Sequence, residues 1–189
     1  MDKEPKKPLV SVCVITYNQS EFIYQAIQSV LNQKTDFDYE IIIGDDYSVD
    51  GTREILDKLK LENPEVINLN YLPVKGSGIP GKENFISTLK KCTGKYIAFL
   101  DGDDYWTDHL KLSKLIAFLE SHPEYSMCHQ KCKVSKDYET NIKLIFSEKK
   151  KEASFYDITQ INPAFHSSVI IRSDSIKDFN MDYWIGDIF

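Results

Sequence analysis

The chain has 189 residues, 42% hydrophobic and 28% charged, with a net charge of −6, the length and composition of one ordinary globular domain. The acidic balance excludes the basic face that a nucleic-acid binder needs and disfavours unaided adhesion to anionic lipid. No run approaches the ~18 apolar residues of a membrane span.

Residues 1–8, rich in Lys and Pro and without an apolar core, read as a flexible lead-in rather than a signal peptide. Residues 9–16 (LVSVCVIT) form a short β-branched run, the pattern of a strand buried on both faces. Tyr17, Asn18 and Gln19 make a turn, and Ser20 is a candidate N-cap. Ile23, Ala26, Ile27, Val30 and Leu31 then recur at helical spacing. Residues 39–44 (YEIIIG) predict a second strand, and residues 45–48 a turn. Asp50 is a candidate cap for a helix carrying Ile55, Leu56 and Leu59. A third strand is predicted over 66–72. A loop with Gly76, Gly78, Pro80 and Gly81 leads to a helix through Phe85, Ile86 and Leu89, with Gly94 as its closing glycine. Residues 95–100 (KYIAFL) predict a fourth strand that stops at Asp101.

Four strand–helix units in about 100 residues predict a doubly wound α/β sheet, mostly parallel. The pattern changes after Asp104: a helix over 110–119, strands over 125–134 and 141–146, a charged loop over 147–154 and a strand over 165–171. A parallel half followed by a mixed half gives a single domain over 9–189, divided near residue 104. Cys13 reads as a buried thiol. Without a secretion signal the four cysteines are expected reduced, in the cytoplasm. Cys128, His129 and Cys132 fall short of a four-ligand zinc set and read as part of a strand.

In a doubly wound sheet ligands bind beyond the carboxyl ends of the strands. Those ends carry Thr16, Tyr17 and Asn18, then Asp45 and Asp46, then Asp101, Gly102, Asp103 and Asp104. Carboxylates this crowded are best reconciled by a cation. Mg²⁺ or Mn²⁺, which takes one or two carboxylates together with phosphate oxygens, fits the tetrad, and Gly102 lets a ligand approach the backbone. A polar turn capping the next helix is the plainer alternative. Asp45 and Asp46 can accept hydrogen bonds from a base or ribose, although helix capping accounts for Asp50. Tyr17 can stack on a base or serve the core.

The segments VSVCVITYN, EIIIGDDYSVDGT and GKYIAFLDGDD together resemble the signature of inverting family 2 glycosyltransferases with the GT-A fold. The resemblance is close over residues 9–120 and weaker beyond. It implies a nucleotide-binding half at 9–104 and an acceptor-side half at 105–189. It puts Thr16, Tyr17, Asn18, Asp45, Asp46, Asn84, Asp101, Gly102 and Asp103 at the nucleotide, and Asp103 and Asp104 on the metal. Trp106, His166 and Trp184 fall on the acceptor side. Asp187, in a late Gly-Asp pair, matches the catalytic base. The expected reaction is metal-assisted transfer of a sugar from a nucleotide diphosphate donor, a UDP-sugar foremost, to a hydroxyl of a glycan or lipid-linked glycan. The setting implied is polysaccharide or lipopolysaccharide assembly, in the cytoplasm or peripherally at the inner face of the membrane. Two departures stand out: Tyr47 occupies a position where the family commonly has Gly, and the chain stops two residues after Asp187, as expected of a truncated protein. A non-catalytic nucleotide-sugar or glycan-binding module and a nucleotidyltransferase are the alternatives. The second lacks support because residues 17–20 contain neither the glycine nor the basic residue of a phosphate loop.

Overall fold

The computed structural model describes residues 7–74, 80–132 and 166–176. The expected strand at 141–146, the charged loop at 147–154, Trp184 and Asp187 lie outside them. The strands are Val10–Thr16 (β1), Tyr39–Asp45 (β2), Ile67–Tyr71 (β3), Tyr96–Asp101 (β4), Met127–His129 (β5) and Val169–Arg172 (β6). The helices are Ile23–Leu31 (α1), Thr52–Glu62 (α2), Lys82–Leu89 (α3) and Lys111–Ser121 (α4).

The six strands form one sheet in the order β3-β2-β1-β4-β6-β5. β1 pairs in parallel with β2 and β4, and β2 with β3. β6 runs antiparallel to β4, and β5 antiparallel to β6. The chain thus grows outward from β1 in one direction, returns to place β4 on the other side, and finishes with a mixed edge. The order reverses between β1 and β4, the point at which doubly wound sheets take their ligands.

Alternation along the strands explains both layers. Val10, Val12 and Val14 of β1, Ile41 and Ile43 of β2, and Tyr96, Ala98 and Leu100 of β4 pack with α1, α2 and α4. The intervening Cys13, Ile97 and Phe99 face Phe85 and Leu89 of α3 together with Val169. Helices therefore cover both faces, which is why the central strands are apolar along their whole length.

Local chemistry differs from the sequence reading at several element ends. α1 has no side-chain cap. Its first turn is closed by the Gln19 carbonyl, which accepts from Phe22 and Ile23 N–H at 3.0 and 2.9 Å. Ser20 instead donates its N–H to Asp50 at 2.9 Å. α3 ends at Leu89, so Gly94 is not its closing glycine; a Cβ at Gly94 would lie 2.6 Å from the Ser11 nitrogen as the chain enters β4. Among the described residues of the strand predicted over 125–134, only β5 is strand. The one predicted over 165–171 divides into a 3-10 turn, His166–Ser168, and β6. That division aims His166 and Ser167 at the end of β4.

Candidate active site

The carboxyl ends of β1, β2 and β4 meet where the strand order reverses. Asp46 N–H donates to the Thr16 carbonyl at 3.0 Å, and Gly102 N–H to the Ile15 carbonyl at 2.9 Å, so the segments leaving the three strands start side by side. The first two loops are laced together: Asn18 N–H donates to Ser48 Oγ (2.7 Å), Val49 N–H to Asn18 Oδ1 (2.9 Å) and Gln19 N–H to Thr52 Oγ1 (2.9 Å).

Gly102 is required by space. A Cβ there would meet Gln19 Oε1 at 2.5 Å and Thr16 Oγ1 at 2.7 Å. The acidic loop is thus pressed onto the end of β1, with Thr16 donating to Gln19 across the contact at 2.7 Å. Asp103 and Asp104 are exposed, and Asp101 is half-buried. Partial desolvation pushes the Asp103 carboxyl up, and the negative charges of Asp104 and Asp101 add to it; a hydrogen bond from Gln19 works the other way. Desolvation and the two neighbouring carboxylates thus both disfavour the ionised form of Asp103.

Asp101 and Asp104 are gripped from the far half of the chain. His166 Nδ1 lies 3.0 Å from Asp101 Oδ1, its ring stacked on Phe99 with centroids 4.8 Å apart. Ser167 Oγ accepts the Asp101 N–H at 3.0 Å and donates to Asp104 Oδ2. Ser167 is held in turn through its carbonyl, which accepts from the Trp106 indole at 2.9 Å and from Lys111 Nζ at 2.6 Å. The Lys111 ammonium lies 4.2 Å over the Trp106 ring. Its burial drives its pKa from 10.5 down to about 7, against the pull of Cys132, Cys128 and Asp104.

The second carboxylate pair divides its roles. Asp45 is fully buried. It accepts from Ser48 N–H at 3.0 Å and is ion-paired with Arg53 Nε. Arg53 also donates to the Leu72 carbonyl at 2.8 Å and lies between the rings of Tyr47 and Tyr71, 5.4 and 4.6 Å from their centroids. Asp46 is 6% exposed. Tyr47 follows with φ +67°, a left-handed conformation that costs a bulky residue roughly 1–2 kcal/mol.

Two expected contact residues lie deeper than the site's surface. Asn84 is buried, and its amide donates to the carbonyls of Gly44 (3.0 Å) and Thr16 (3.5 Å), tying β1 to β2 from beneath. Trp106, expected on the acceptor side, is a core residue: its ring packs among α1, α4 and the sheet, and its N–H is bound by Ser167. Gln19, Arg53, Lys111 and Ser167 were given no site role in the sequence reading. Each acts across a long separation in the chain or from an unremarkable turn, and no local spacing marks it.

Among the described residues no three His, Cys, Asp or Glu side chains converge as a ready-made metal cage. The donor set nevertheless suits Mg²⁺ or Mn²⁺, ions that need only one or two carboxylates and draw the rest from phosphate and water. The repulsion among Asp101, Asp103 and Asp104 is what such an ion would relieve.

Comparison with known proteins agrees with this geometry. The chain is 42% identical over 113 residues to the Escherichia coli UDP-Glc:alpha-D-GlcNAc-diphosphoundecaprenol beta-1,3-glucosyltransferase WfaP, covering 60% of this chain and 42% of that protein. It is 30% identical over 177 residues to a glycosyltransferase of Haemophilus influenzae, covering 90% of this chain and 64% of the relative. The crystal structure of Staphylococcus aureus TarS 1-349 in complex with UDP superposes with a TM-score of 0.70 at 26% identity, over 92% of this chain and 48% of that one. The chain thus spans less than half the length of WfaP and of the TarS fragment. The family model for Glycosyl transferase family 2 matches residues 11–179, and the chain belongs to that family.

Proposed function

We propose that this chain is the donor-binding part of an inverting glycosyltransferase that takes a UDP-sugar, with a divalent ion, and glycosylates a hydroxyl of a glycan or lipid-linked glycan in cell-surface polysaccharide assembly. The observation that carries the reading is the meeting of three strand ends where the strand order reverses. Asp46 stands at one side of it, and the acidic loop 101–104 at the other, braced by His166 and Ser167. UDP is favoured because WfaP is named for a UDP-Glc donor and TarS was crystallised with UDP. WfaP is also named for a diphosphoundecaprenol-linked sugar, which supports a lipid-linked acceptor and work at a membrane face. No described helix is long and apolar enough to cross a membrane.

In this reading Thr16, Tyr17, Asn18 and Asp46 receive the nucleoside, while Asp45 and Asn84 hold the frame beneath it. Asp101 and Gly102 border the ribose and diphosphate. Asp103 and Asp104 hold Mn²⁺ or Mg²⁺, which when bound neutralises charge on the departing diphosphate. Asp187 takes the acceptor proton as the hydroxyl attacks the anomeric carbon, and a single in-line displacement inverts that centre. His166 and Trp184 belong to the acceptor side.

Calorimetric titration with UDP, with and without Mn²⁺, tests the donor site. Binding that needs the metal and disappears in Asp103→Ala is expected. Equal binding without metal, or in the variant, removes the metal role. Asp187→Asn should lower transfer by roughly 10²–10⁴-fold while leaving UDP affinity intact. Near-normal turnover in that variant reassigns the base.

A further inference from the structure

The nucleotide rim has an aromatic residue that the reading above does not use. Tyr47 follows Asp46 directly and is held at φ +67°. For a bulky side chain that backbone conformation is a true outlier, and such outliers persist where the surroundings over-determine them and cluster at ligand sites. Asn18, the other described non-glycine residue with positive φ, is of a type that tolerates it locally. Tyr47 is not.

The surroundings of Tyr47 are specific. The Arg53 guanidinium lies over its ring at 5.4 Å and is itself fixed by the buried carboxylate of Asp45, the Leu72 carbonyl and the Tyr71 ring. Arg53 is thus a rigid base plate under Tyr47. The residue nonetheless remains 42% exposed, a large share for an aromatic ring anchored in this way. On the neighbouring strand Tyr17 is 39% exposed at the end of β1, and Asp46, between the two in the laced loops, is 6% exposed. Strain is retained and an aromatic surface left in water, although glycine would relieve both.

We propose that Tyr47 is a second stacking residue of the donor site, its ring backed by Arg53 and its open side offered to the nucleobase beside Asp46. The proposal rests on the reading of these strand ends as a nucleotide-sugar site. It adds to it a residue that the family resemblance did not place at the nucleotide. Stacking on an aromatic ring is tolerant of base identity. Tyr47 therefore raises affinity for nucleoside diphosphates in general, and the choice of base falls to polar groups such as Asp46.

The experiment compares the 189-residue wild type with Tyr47→Gly and Tyr47→Phe, titrating UDP, GDP and inorganic pyrophosphate in Mn²⁺ and recording melting temperature. Tyr47→Gly should weaken UDP and GDP by roughly 5- to 150-fold, the range that loss of one aromatic–base stack implies. Pyrophosphate, which has no base, should bind as to wild type. Tyr47→Phe should keep nucleotide affinity. The melting temperature of Tyr47→Gly should stay close to that of wild type, because relief of strain opposes loss of the Arg53 contact. Wild-type UDP affinity in Tyr47→Gly overturns the proposal, as does an equal loss of UDP and pyrophosphate, which marks a collapsed loop. A wild type that binds neither UDP nor GDP overturns the donor-site reading itself and the proposal with it.

Discussion

Lys111 shows how one side chain can be costly and still useful. It is 2% exposed, with its ammonium bonded to the Ser167 carbonyl and stacked on Trp106. Burial lowers its pKa from 10.5 to about 7. The unfolded chain therefore holds a proton on Lys111 across pH 7 to 10.5 that the folded chain sheds. Where the unfolded state binds more protons, stability rises with pH. The penalty is greatest and constant below pH 7 and fades towards pH 10.5. Urea unfolding of wild type and Lys111→Met at pH 7 and pH 9 measures this directly. Wild type should gain on the order of 2 kcal/mol relative to the variant between the two pH values. A constant difference would place the pH dependence on another group. The motif Asp101-Gly102-Asp103-Asp104 was legible from its crowded charges, but Lys111 was not. At its sequence position it reads as an ordinary helix-start residue, and only the turn His166–Ser168, some 56 residues away, converts it into a support of the acidic loop.

At the scale of elements, α3 is seated by close contact rather than by apolar area alone. A Cβ on Gly44 would lie 1.9 Å from Thr88 Oγ1 and 2.4 Å from Asn84 Oδ1. Thr88 is fixed by donating to the Asn84 carbonyl at 2.7 Å, and Asn84 by its bonds to Gly44 and Thr16. Neither partner has room to yield. Gly44→Ala is expected to cost about 1–3 kcal/mol in urea unfolding, the usual range for overpacking. An unchanged urea midpoint would mean that α3 shifts freely over β2. Because the same displacement moves the ends of β1 and β2, UDP affinity should fall with stability. The strands and helices themselves were legible, since the strands are short unbroken apolar runs and the helices follow a period of 3.6. Their ends were less so: Ser20 has the composition of a cap, but the Gln19 carbonyl and Asp50 decide how α1 and α2 begin.

Across the whole molecule, the parallel part and the late strand β6 are joined at the site rather than merely in the core. β6 pairs with β4 over Ala98 to Tyr96, and the turn before it supplies His166 and Ser167 to the end of β4. Ligand binding should therefore stabilise both parts together. UDP with Mn²⁺ at about 100 times its Kd adds about 2.7 kcal/mol, or a melting shift of roughly 5–11 °C for a protein of this size. Ser167→Ala leaves the part-buried Asp101 N–H without its acceptor, and Asp104 without that hydroxyl, and should lose about 1–3 kcal/mol. It should also shrink the ligand-induced shift, as differential scanning calorimetry would show. A full-sized shift in Ser167→Ala would mean that the acidic loop holds its place without the brace.

The sequence alone determined the strand-rich parallel architecture, the family and the three strand-end motifs, because hydrophobic period and short polar punctuation are local properties of the chain. Only the tertiary structure decided which of the acidic residues are spent on structure. Asp45 goes to Arg53, Asp101 to His166 and Ser167, and Asp103 is left exposed beside the other two carboxylates of its loop. It also placed Trp106 in the core and bent Tyr47 into a left-handed turn over Arg53. These outcomes depend on pairings between residues from six to about sixty-six positions apart, and on the space left once two layers of helices have closed on the sheet, neither of which any local spacing records.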